Sequence, residues 1–175
     1  MWRSLSRQAL LTLVRALVVS KVDHCISVLA GISGSLQNRL ESALNADARI
    51  VCSERKSEHI LTPLLQELHW LRVPKRIQFR LCVLAYRCVH GTAPAYLADS
   101  LQLTANAPAR RRLRSTDTMT PQVPSTRRST IGDRGFPVAV AQAWNSLPPA
   151  TRAANSLLQF QRETKAHLFR QSFLD

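Results

Sequence analysis

Proline and glycine set the frame of this chain. Up to about residue 102 they fall one helix apart, at Gly31, Gly34, Pro63, Pro74, Gly91 and Pro94. The segments between them repeat apolar residues every three or four positions, the period of an amphipathic helix. The pattern predicts helices over about Ser4–Leu29, Leu36–Val51, Thr62 to His69 or Trp70, Pro74–Val89 and Pro94–Ser100. Ser33 or Ser35 can cap the second of these. Thr62-Pro63 is a cap followed by proline at the first helical position, and Gly91 suits a left-handed stop after Val89. The clearest stripe is Leu36, Leu40, Leu44 and Ala48. A helical bundle is expected, with Leu17, Leu40, Leu44, Leu68, Ile77, Leu81 and Leu84 inside.

Residues 103–135 break that rhythm. They carry the run ARRRLR, then Pro121, Pro124, Gly132 and Gly135 among many Ser and Thr. An extended basic linker is expected, with short strands at about Met119–Val123 and Ser129–Ile131. Helix returns over Phe136–Asn145 and stops at Leu147-Pro148-Pro149. Asn155 or Ser156 caps a final helix through about Arg170, whose inner face is Leu157, Phe160, Thr164 and Leu168. The expected organisation is mainly α: a helical domain over 1–102, a linker over 103–135 and a C-terminal helical segment over 136–175.

Charge narrows the function. There are 24 Lys and Arg against 11 Asp and Glu, for a net +13. The excess is spread along the chain, 13 basic to 7 acidic over residues 1–99 and 11 to 4 over the rest. Such a balance favours a polyanionic partner, nucleic acid above all. A membrane is not expected. The longest apolar stretch, Ala9 to Val19, is broken by Thr12 and Arg15 and is too short to span a bilayer. The acid-free start, with Arg3, Arg7, Arg15 and Lys21, has the composition of a mitochondrial transit peptide. Its apolar pattern runs straight on, however, which favours a helix of the domain itself and a nuclear or cytoplasmic setting.

Two basic constellations stand out. Arg76, Arg80 and Arg87, with Arg72 just before them, fall within a wedge of roughly 80° on one helix. A cationic stripe opposite an apolar face can track a phosphate backbone. The second set is Arg110, Arg111, Arg112 and Arg114 with Arg127, Arg128 and Arg134, near only Asp117 and Asp133. These give phosphate contacts, which confer affinity without sequence readout.

Nothing in the chain points to catalysis, a metal or a cofactor. Phosphoryl transfer needs clustered carboxylates, and the six Asp are scattered with no two adjacent. Cys25, Cys52, Cys82 and Cys88 are widely spaced within apolar runs, which fits buried thiols in a reducing compartment. Cys82 and Cys88 are six residues apart, so a helix turns them to different faces. His24 beside Cys25 reads as a polar neighbour of a buried thiol.

Several strings, taken in order, carry a resemblance. They are Val22-Asp23-His24-Cys25, Asn45-Ala46-Asp47-Ala48-Arg49-Ile50, His59 to Leu65 (HILTPLL), Glu67 to Val73 (ELHWLRV), Arg76-Ile77 and Tyr86 to Leu97 (YRCVHGTAPAYL). Later come Leu113-Arg114-Ser115, Gly132 to Phe136 (GDRGF), Ala143 to Pro148 (AWNSLP), Phe160 and Lys165 to Phe169 (KAHLF). The ordered set resembles the C-terminal part of reverse transcriptases of LINE-type, non-LTR retrotransposons, across about Leu10 to Phe173. The resemblance implies a helical thumb and a post-polymerase extension, which hold template and primer. It implies no chemistry here, because the family's Phe- or Tyr-x-Asp-Asp turn and its endonuclease have no counterpart. The chain departs from the family at His24, where Tyr is common, at Arg72 in place of Pro, and in a more polar Thr118 to Gln122. Those departures suit a decaying or truncated genomic copy. The competing reading is a cellular helical protein that binds a protein partner through its Leu-rich faces.

Overall fold

The computed structural model describes residues 5–24, 26–52, 62–101, 120–127 and 132–173, and helix follows helix through all of these but 120–127. The elements are α1 (Arg7–Val14), a π-turn (Arg15–Val19), α2 (Ser20–Asp23) and a 3₁₀ turn (Ile26–Leu29). Then come α3 (Gly34–Cys52), α4 (Thr62–Glu67), α5 (Val73–Val89), α6 (Ala95–Ala98), α7 (Phe136–Asn145), α8 (Pro149–Arg152) and α9 (Leu157–Phe173). The chain is mainly α, as the spacing of its breakers predicts. No helix among the described residues is long and apolar enough to cross a membrane. Packing divides the chain into two units, Met1–Ile77 with Leu168–Asp175, and Gln78–His167. The dividing points lie inside α5 and α9, away from the composition changes near 102 and 135.

In the first unit, Ser6 caps α1 by accepting the Ala9 N–H at 3.3 Å. Val14, Ala48, Val51, Leu65, Leu68 and Trp70 form the buried cluster, with Leu11, Val19, Leu64 and Phe173 against it. The stripe of α3 therefore turns inward at Leu44, Ala48 and Val51, while Leu40 is only half-buried. Helix α5 begins one residue before Pro74, because the Glu41 carboxylate accepts the Val73 N–H at 2.7 Å. That supplies an acceptor and a negative charge where a helix start needs both.

Leu17 is a correction. It is 63% exposed rather than buried. The Ser20 N–H bonds Arg15 O across the π-turn, which adds a residue to that turn. Every later side chain is rotated by about 100° relative to an unbroken helix. Val18 and Val19 become half-buried, and Leu17 turns outward.

The second unit is organised by aromatic rings. Tyr86, Trp144 and Phe160 are all buried, with centroids 4.6 Å apart for Tyr86 and Phe160 and 5.6 Å for Trp144 and Phe160. The Tyr86 hydroxyl donates to Ala154 O at 3.1 Å, so the one polar atom of that ring is satisfied inside the core. Leu81 is buried and Leu84 half-buried. Pro148-Pro149 ends α7 as expected, and Pro149 then serves as the first residue of α8. Ser156 caps α9 through the Gln159 N–H at 3.2 Å. Phe160 and Thr164 are fully buried, matching the expected inner face.

The expected strand at Met119–Val123 is also corrected. Its described part, 120–123, holds no strand but a single isolated bridge residue, Pro121. Pro121 has no N–H, so the pairing stays at that one bridge and does not extend to a ladder. Pro121 is buried, with its carbonyl accepting from Asn145 Nδ2 at 3.1 Å. The other expected strand, Ser129–Ile131, lies outside the described residues.

Candidate nucleic-acid interface

The predicted wedge on α5 divides into residues with different roles. Arg72 is exposed. It donates to the Thr62 hydroxyl at 3.1 Å, and its guanidinium lies 5.5 Å from the Phe173 ring centroid. Arg87 is exposed and has no acidic partner among the described residues. Arg80 is half-buried and engaged by other groups. Arg76 departs from the expectation. It is 8% exposed, and its Nη1 meets Asp23 Oδ1 at 2.8 Å. Both side chains of this pair are largely out of water, so Arg76 is an internal counter-charge that a phosphate does not reach. The face that looks solvated in projection is covered at Arg76 and partly covered at Arg80.

Of the second basic set, Arg127 is exposed at the end of the extended stretch 120–127. Arg110, Arg111, Arg112, Arg114 and Arg128 lie outside the described residues.

The first unit also brings together groups that sequence spacing does not connect. His69, exposed at the end of α4, stacks on Phe169 with centroids 5.5 Å apart and planes 13° from parallel. Phe169 meets Phe173 at 4.8 Å, and Arg72 covers Phe173. A cavity of about 730 Å³ adjoins His69, lined by Arg7, Gln8, Leu11, Arg15, Glu67 and Leu68. Arg7 pairs there with Glu67, and the hydrogen bond to that carboxylate holds the Arg7 proton more firmly than usual. Arg15 is exposed and has no acidic partner among the described residues. About a hundred residues separate His69 from Phe169, so periodicity could not show this group. The one local signal was a helix end at His69-Trp70 with no glycine to make the stop.

Two of the described thiols, Cys82 and Cys88, are shielded from solvent to different degrees. Cys82 is fully buried, its Sγ donates to Ala143 O at 3.4 Å, and burial pushes it up to about 12. Burial also raises the half-buried Cys88. Among the described residues, no three His, Cys, Asp or Glu side chains are placed to hold a metal ion. At pH 8 Cys82 is overwhelmingly the thiol, and the thiolate is the reactive form. Cys82 should therefore resist iodoacetamide in the native chain and react once urea unfolds it. Mass mapping of the label checks this, and stoichiometric native labelling of Cys82 would contradict the packing described.

No protein-family model matches the chain, and neither a curated protein nor a solved structure matches it.

Proposed function

We propose that the chain is a non-catalytic nucleic-acid-binding part of a retrotransposon reverse transcriptase, holding template and primer through phosphate contacts. The observation that carries this reading is the unbalanced positive charge. The chain is +13, and Arg15, Arg72, Arg87 and Arg127 are exposed with no acidic partner among the described residues. The ordered resemblance in sequence supplies the family. The helical fold is compatible with a thumb. The role assigned to this chain is binding alone.

Salt dependence tests the reading. Each phosphate neutralised releases condensed counterion, so a duplex held by four to six Arg should show a log–log slope of about −4 to −5. Arg87→Gln should flatten that slope by about 0.9 and leave the helical circular dichroism unchanged, since Gln has similar helix propensity. Binding that is indifferent to salt would reject the proposal. The protein-partner reading would then lead, because Leu13, Leu17 and Val28 are exposed apolar residues of the first unit.

A further inference from the structure

We infer that the His69 imidazole, backed by Phe169, is a stacking platform for one base of a single-stranded nucleic acid. The inference rests on the nucleic-acid reading above and names the form of ligand and the site.

The first argument is the backbone. Helices α4 and α5 end in the same hydrogen-bonded stop. In α5 the Gly91 N–H bonds Cys88 O and the Thr92 N–H bonds Arg87 O. In α4 the His69 N–H bonds Gln66 O and the Trp70 N–H bonds Leu65 O. Both stops need a left-handed residue, and glycine fills that place at Gly91, with φ 67°. His69 fills it at φ 53°, a conformation that a side chain with a Cβ resists. The imidazole adds one edge contact to the stop, Nδ1 lying 3.3 Å from Glu67 O, which does not use the ring face. The ring also gains little from burial, since His69 remains exposed. What the left-handed turn achieves is to lay the imidazole flat on Phe169 beside an open cavity.

The second argument is what surrounds that ring. The cavity of about 730 Å³ falls within the size range of small-ligand sites, about 300–1,000 Å³. Leu11 and Leu68 give it apolar wall, and Arg7 and Glu67 offset each other. Arg15 is left to meet a phosphate. Beyond Phe169, the series continues to Phe173 and the Arg72 guanidinium over it. Phe169 and Phe173 are tilted by 55°, so the flat stack is His69 on Phe169, and an aromatic face beside exposed cations is how proteins hold single strands without reading sequence, because every base has a π-face. A duplex keeps its base faces inside the stack and has none to offer His69.

The test measures fluorescence anisotropy of the whole chain with a labelled oligo(dT) strand and with a duplex of the same length, at one salt concentration. His69→Gly relieves the left-handed residue, and helical circular dichroism checks that it stays folded. It should weaken oligo(dT) binding about 5- to 150-fold, the range for one base–aromatic stack, and leave the duplex as it was. His69→Tyr keeps an aromatic face and should bind as the parent does. An oligo(dT) carrying 5-iodouracil should cross-link, on the unaltered chain, to a peptide containing His69 or Phe169. Equal losses on both probes, an unchanged oligo(dT) affinity, or cross-links confined to other peptides would overturn the platform while leaving duplex binding standing. Failure of both probes to bind the parent would remove the nucleic-acid reading and the platform together.

Discussion

Phe160→Ala is expected to lower the unfolding free energy by about 3–5 kcal/mol, the cost of emptying a large buried aromatic site. Phe160 is 0% exposed. Its ring packs on those of Tyr86 and Trp144, which also meet each other at 6.5 Å, and these rings come from α5 and α7 and cannot close over the gap without moving whole helices. Aromatic pairs add about 0.5–1.5 kcal/mol beyond buried area, so losing two of them places the effect at the upper end. A small domain has only about 5–15 kcal/mol to lose. Urea denaturation should show a lower midpoint with an unchanged slope if the native fold persists. Leu158→Ala is the control two positions away. That side chain is 59% exposed, and its removal should change stability by less than about 0.5 kcal/mol. Equal effects from the two substitutions would show that the ring cluster does not organise the second unit.

The inward face of Phe160 is legible in the sequence, whereas Leu158, which flanks the same stripe in projection, is exposed. A cap at Asn155 or Ser156 and a stripe at Leu157, Phe160, Thr164 and Leu168 fix which side of α9 faces inward. Helices α3, α5 and α7 were legible for the same reason, since each pairs a breaker or cap with an apolar period. What failed was whatever depends on a distant partner or on an irregular turn. The π-turn at Arg15–Val19 leaves only a faint trace in the apolar spacing, at Val18, Val19 and Val22, so the face of Leu17 was read one step out of register. The start of α5 depends on Glu41, and the helix therefore reaches back to Val73. The ring stack of His69 and Phe169 joins the ends of two helices far apart in the chain. Arg76 and Arg87 occupy the same angular wedge, and only Asp23, fifty-three residues before Arg76, separates a structural cation from a solvated one.

That separation makes a sharp prediction. Arg76→Gln should cost about 3 kcal/mol, the lower end for removing one partner of a buried ion pair. The lower end applies because the Asp23 side chain retains 19% exposure and keeps further contacts. Asp23→Asn should also destabilise, by leaving the Arg76 charge buried without its carboxylate. Combining the two should cost less than the sum, with a coupling of about 0.5–3 kcal/mol as expected for groups in contact. Under conditions where Arg76→Gln remains folded, the salt slope of nucleic-acid binding should match the parent's, because this guanidinium already has its anion inside the protein. Arg87→Gln should do the reverse, flattening the slope by about 0.9 at little cost in stability. The two arginines share a helix and a projected face, so a difference between them can only come from what each one touches. An Arg76→Gln chain as stable as the parent with a flattened slope would place Arg76 on the phosphate backbone and overturn its assignment as an internal counter-charge.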